Sequence, residues 1–200
     1  MQKITPSAAL LTCLLPNFAI AESPNWTFVE ASYLSSDVDM DGWDEFGGIE
    51  PTGFELAGSI GIGDWVFVDV RYSEESDEID VYGYDVDIEL DRLSAGVGAA
   101  WAVTDTTDFY GRLAYEDWSI EASAIGYSDR AEEDGYSYAV GVRSILWEVL
   151  ELRGELDYIA DETQVNFGAY YTFLPHFTLG ASYTGMDNLE TLKATFRFQF

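Results

Sequence analysis

The stretch Leu192-Lys-Ala-Thr-Phe-Arg-Phe-Gln-Phe200 alternates strictly, with Leu192, Ala194, Phe196, Phe198 and Phe200 on one side and Lys193, Thr195, Arg197 and Gln199 on the other. A repeat of two marks an extended strand with one apolar and one polar face. Three phenylalanines on the apolar face, the last at residue 200, suit a strand that faces lipid better than one that covers a soluble core. The rest of the chain is then expected to supply more strands of this kind, closed into a barrel so that no backbone edge is left unpaired.

Over 200 residues the hydrophobic fraction is 48%, yet no run stays apolar for the roughly 18–20 residues that a membrane-spanning helix needs. A soluble domain or a strand-built barrel remains. At the amino end, Met1-Gln-Lys3 is positive, Ile4 to Leu15 is largely apolar, Pro16 and Asn17 break the run, and Ala19-Ile-Ala21 offers small residues before Glu22. That order predicts a cleaved export signal over residues 1–21, with the barrel domain over 22–200. Cys13 falls inside the signal, so the exported chain is expected to carry no thiol and no disulfide. Charge is lopsided: 37 acidic residues face 9 basic ones, and every acid lies beyond residue 21. A surface of that sign repels nucleic acid and excludes it as a partner.

From Trp26 onward the chain falls into ten alternating runs, each of the length a tilted strand needs to cross a bilayer. They are expected near 25–35, 52–63 and 65–73, then a fourth ending near Val103, a fifth near 109–119, and five more to the terminal stretch. Acidic outer loops are expected near 36–51, 74–84 and 120–134. Ahead of Leu93 in the fourth run, Asp85, Asp87, Glu89 and Asp91 share the parity of the apolar set. Either they project above the membrane or a bulge near Arg92 switches the phase. Tyr33, Tyr72, Tyr115, Tyr136, Tyr158 and Tyr183 fall in the outward phase at one end of their strands, where an interfacial girdle belongs. Trp26, Trp65, Trp101 and Trp147 read as markers of the opposite interface.

With these runs in hand, the chain resembles the small single-chain bacterial outer-membrane β-barrel proteins. The resemblance is carried by Asp108-Phe-Tyr-Gly-Arg-Leu-Ala-Tyr-Glu116, by Phe173-Leu-Pro-His-Phe-Thr-Leu-Gly180 and by Phe200. It implies an all-β, closed, antiparallel up-and-down barrel of ten strands, or eight, in the bacterial outer membrane. It further implies that the assembly machinery of that membrane reads Phe196, Phe198 and Phe200.

Several constellations are candidates for function. Inward-phase charges at Glu30, Glu55, Asp69, Arg71, Arg92, Arg112, Glu116, Arg143, Glu151, Arg153, Glu155 and Arg197 are expected to fill the lumen. Buried charges persist only when paired, so an internal salt-bridge ladder that plugs the barrel is the first reading, and a narrow cation-preferring channel the second. Asp37, Asp39, Asp41 and Glu45 copy the opening of a calcium loop, but position twelve of that pattern is Gly48, so a Ca2+ or Mg2+ site here is an incomplete match. Acidic loops beside outer-membrane lipids and lipopolysaccharide suggest divalent cations as bridges. His176 is the only histidine and falls in a periplasmic turn beside Pro175, so no enzyme is expected. The expected role is envelope structure or surface interaction.

Overall fold

The computed structural model describes residues 23–39, 49–81, 84–124, 127–159 and 162–200. The expected export signal lies outside them, and so does most of the first outer loop. Ten strands follow in order: β1 (Phe28–Val38), β2 (Thr52–Ile62), β3 (Val66–Val81), β4 (Tyr84–Thr104), β5 (Thr107–Ala124), β6 (Tyr127–Leu146), β7 (Leu150–Ile159), β8 (Glu162–Leu174), β9 (Phe177–Met186) and β10 (Leu189–Gln199). Each pairs antiparallel with its sequence neighbours, and β1 also pairs with β10, which closes the barrel. Ten strands, not eight, make the wall.

Apolar side chains ring the outside. Every strand contributes, from Val29 on β1, 47% exposed, to Leu192 on β10, 63% exposed. Water would penalise such a belt on all sides, whereas hydrocarbon accepts it. All six tyrosines of the expected girdle have outward parity, and the rings of Tyr115 and Tyr136 meet edge to face at 5.9 Å. The Tyr72 hydroxyl donates to Glu74 and Asp91, at 3.2 and 3.3 Å, so the girdle reaches up into carboxylates. An amphipathic ring at the boundary between hydrocarbon and water satisfies both of its ends.

Beyond the girdle the structure departs from two of the expected loops. Residues 74–81 and 84–91 belong to β3 and β4, and residues 120–124 and 127–134 belong to β5 and β6. These segments are strand because the ladder runs on without a break, from Val66↔Ala99 to Val81↔Tyr84 and from Thr107↔Ser144 to Ala124↔Tyr127. No bulge interrupts β4 at Arg92; the shift between β4 and β5 lies at Ala102/Thr104. Asp85, Asp87 and Glu89 therefore keep the outward parity of Leu93 and stand in water above the membrane. What inverts is the environment: up there the outside is acidic, and the inward residues Ile79 and Ile88 bury against Ile49.

The opposite end carries short turns and both ends of the described chain. Gly63 takes φ +66° in the turn from β2 to β3, a conformation that glycine enters without steric cost. Trp147 and Glu148 do the same with φ of +51° and +63°, though neither is glycine. β1 begins at Phe28, later than expected. Ser23 to Thr27 instead lines the mouth of the barrel, where the Asn25 side chain donates to the Phe200 carbonyl at 2.9 Å.

Candidate functional site in the barrel lumen

Alternation places every second residue inside, and the inward set contains most of the chain's cations. Arg143 on β6 grips Glu151 on β7 through two hydrogen bonds of 2.9 Å, a bidentate fork. Arg197 on β10 donates to the same Glu151 at 3.0 Å, across the lumen, and its Nε donates to Glu30 on β1. Glu30, Arg197, Glu151 and Arg143 thus form an alternating chain that ties β1 and β10 to β6 and β7.

Two further groups lie above it. The Tyr110 hydroxyl donates to Glu155 while receiving Arg153 Nε at 3.0 Å, and Arg153 also donates to Glu155 at 3.0 Å. Arg112 holds Asp69 through Nε at 3.0 Å and Ser94 through Nη2 at 2.6 Å. Arg71 approaches the same Asp69 at 3.9 Å. Glu116 then accepts from Ser94, Ser137 and Arg92, at 2.9, 2.7 and 3.1 Å. Lys193, which has inward parity beside Arg197, donates to Glu55 at 2.7 Å. Each inward charge named from the sequence is therefore placed in the lumen with an opposite partner. That is the condition under which buried charges are tolerated.

The periplasmic end of the expected topology is closed by aromatic rings. Trp26 stacks on Phe67 with centroids 4.1 Å apart and meets Tyr110 edge-on at 5.1 Å. Its Nε1 donates to Asp108 at 2.9 Å. The Arg143 guanidinium lies 4.3 Å over the indole, and that of Arg197 lies 4.4 Å over Tyr170 and 4.6 Å over Phe28. Arg143 Nη1 and Arg197 Nη2 have no polar partner among the described residues, and the ring faces supply the electrostatic contact in its place. Trp26 is thus no interface marker: it sits inside the barrel, because it shares the inward parity of Phe28 and Glu30 and Asp108 satisfies its N–H. Trp65, Trp101 and Trp147 are exposed outside.

The inward aromatics are absent from the charge pattern read from the sequence. Their signal is a glycine directly across the ladder: Phe67 faces Gly98, Tyr110 faces Gly141 and Tyr170 faces Gly180. A Cβ on Gly98 would lie 2.1 Å from the Phe67 ring, so the ring lies flat over bare backbone.

The other candidates are dispersed. Asp37 stands opposite Glu190 at the end of β1, Asp39 follows it, and Asp41 and Glu45 lie outside the described residues. Among the described residues no group of three or more acidic, histidine or cysteine side chains converges as a metal site. His176 Nδ1 lies 2.9 Å from the Gln199 carbonyl, in the turn between β8 and β9. Phe196, Phe198 and Phe200 face outward, with Phe198 and Phe200 in edge contact at 4.9 Å.

The family described as outer membrane protein beta-barrel domain matches residues 5–164. No curated protein matches the chain. Among solved structures, the transport unit of the autotransporter AIDA-I from Escherichia coli is similar with a TM-score of 0.56, at 9% identity over 92% of each chain. The KdgM porin in complex with disordered oligogalacturonate has a TM-score of 0.51 at 9% identity, over 86% of this chain and 99% of its own. Ail, the attachment invasion locus protein of Yersinia pestis, has a TM-score of 0.46 at 14% identity, over 87% of this chain and 97% of its own. At such identities the likeness is one of fold.

Proposed function

Because the chain belongs to the outer membrane protein beta-barrel domain family, we propose that it is a non-enzymatic barrel whose lumen is a closed strut and whose working surface is the acidic sheet above the membrane. The observation that carries this reading is the cross-lumen chain of Glu30, Arg197, Glu151 and Arg143, in which both arginines have 0% side-chain exposure. An ion passing that level would have to break paired, desolvated charges or displace the Trp26 ring stacked on Phe67 beside them. Planar-bilayer recording of the refolded protein tests it: a flat baseline is expected, and discrete conductance steps would favour the narrow cation-preferring channel instead.

The surface role rests on β3 to β6, which rise above the girdle as a four-stranded sheet. Among the described residues β7 pairs with β6 as far as Ile159↔Ser137, and no described strand pairs with the far edge of β6 from Tyr127 to Tyr136. Asp129, Glu132, Glu133 and Asp134 lie along that edge, which suits extended partners of basic character. Divalent cations, Ca2+ or Mg2+, are the bridge proposed between this wall and lipopolysaccharide phosphates, and the assembly machinery is the partner proposed for Phe196, Phe198 and Phe200. A Phe200→Ser variant should insert poorly in cells while refolding normally in detergent; equal losses would make Phe200 ordinary lipid-facing surface.

A further inference from the structure

Two cavities lie along the barrel axis. One, of about 60 Å³, is inside the lumen and is bounded by Phe28, Glu30, Arg71, Arg153 and Glu155 among others. The second, of about 260 Å³, is a vestibule at the periplasmic mouth bounded by Pro24, Gly63, Asp64 and Asp108. Among the described residues Trp26 is the one that lines both. Its indole is the partition between them.

The lumen above the partition is open in places and closed in others, since Arg112 and Glu116 keep only 2% and 1% of their side-chain surface. Arg71, Arg92 and Lys193 keep 26%, 27% and 22% of their side-chain surface open, whereas Arg143 and Arg197 keep none. The seal is therefore local, at the level of the indole, with Phe67 against one face and the Arg143 guanidinium over the ring. It is also held differently from the wall. Residues 23–27 belong to no strand. They are fastened by Trp26 Nε1 to Asp108, by Arg143 Nη2 to the Asn25 carbonyl at 3.0 Å, by the Gly61 N–H to Thr27 Oγ1 at 3.1 Å and by Asn25 to Phe200. The Phe200 N–H also donates to the Thr27 carbonyl at 3.2 Å, so the end of the segment is tied to the wall, while Asn25 and Trp26 are held through side chains and can move without unzipping a ladder.

We propose that Trp26 is the stopper of a latent path for small cations, the segment around it acting as a plug in the periplasmic mouth of a lumen that is partly open at Arg71, Arg92 and Lys193. The selectivity follows from the lining. Among the described residues the vestibule holds Asp64 and Asp108 and no lysine or arginine, and the lumenal cavity is lined by four carboxylates against three cationic side chains. With the indole gone, Asp108 loses its donor and faces the path. This inference rests on the closed-lumen reading and deepens it.

The test compares wild type, Trp26→Ala and Trp26→Phe in planar bilayers, each checked for the heat-modifiable gel band of a folded barrel. Expected are a silent wild type, a near-silent Trp26→Phe that keeps the stack on Phe67, and discrete steps from Trp26→Ala that reverse on the cation side in a KCl gradient. A folded Trp26→Ala as silent as wild type, or one that prefers chloride, overturns the stopper while leaving the closed strut intact. A conducting wild type overturns the strut; the stopper then survives only if Trp26→Ala conducts severalfold more. Should Trp26→Ala fail to fold, Trp26→Leu keeps apolar bulk without the Asp108 bond or the stack. Brief cation-selective openings are expected of it, and their absence from folded protein overturns the proposal.

Discussion

Arg143 and Arg197 carry charge at zero exposure, and each does so by placing a carboxylate at its edge and an aromatic ring at its face. Glu151 serves both guanidinium groups, while Arg197 alone has Glu30 in reserve. Glu151→Gln therefore strands Arg143 and should destabilise the barrel by about 3 kcal/mol, the scale for a broken buried pair. Urea unfolding in detergent reads it as a lower midpoint, and an unchanged midpoint would mean water solvates this site. Gly98→Val makes a complementary case: its Cβ would lie 2.1 Å from Phe67, and overpacking of that kind costs about 1–3 kcal/mol. Gly111→Val, with nothing nearer than 3.8 Å and lipid outside, should cost little by the same assay. At this scale the charged half of the site was legible, because parity alone puts Glu30, Glu151 and Arg197 inward. The aromatic half followed the same parity, Phe67 with Asp69 and Tyr110 with Arg112, but its packing was not legible: that each ring lies over a glycine, Gly98 or Gly141, is a signal only after the strand register is known.

Among the elements, the long hairpins β3–β4 and β5–β6 show why strand ends were harder to read than strand cores. Apolar residues leave the outward face at Tyr72 and Leu93, which reads as the end of a strand, yet the period of two continues with Ile79 and Ile88 in the opposite phase. A phase inversion records where lipid stops and water begins, and the backbone is indifferent to it. The turn between β6 and β7 is the element most open to improvement. Trp147 and Glu148 both hold positive φ, a conformation that costs a residue with a Cβ roughly 1–2 kcal/mol. Glu148→Gly should raise the urea midpoint by the equivalent of about 1 kcal/mol, with Trp147 left as an interfacial anchor. A midpoint that falls would show that the Glu148 side chain contributes more than its backbone costs.

For the molecule as a whole, the barrel sorts charge by side. Apart from Lys3 the chain has eight basic residues, and seven of them lie in the lumen; Arg130, paired with Glu121 and Glu132, is the exception. The lumen thus consumes nearly all the positive charge that could neutralise the outside. Above the girdle the wall presents Glu74, Glu78, Asp85, Asp87 and Glu89, and Arg130, already paired with Glu121 opposite Glu89, is the one outward base among the described residues there; the proposed lipopolysaccharide contact would bring phosphates to this height. Like charges at that height repel unless a divalent cation lies between them, and such a cation offers oxygen ligands on both sides a common partner. Stability should then depend on the lipid and the ion together. In vesicles containing lipopolysaccharide, millimolar Mg2+ is expected to raise the urea midpoint and a chelator to lower it, while in phosphatidylcholine vesicles both changes should be small. An equal response in the two lipids would assign the effect to screening of the acidic wall by itself, and no response in either would remove divalent bridging from the account.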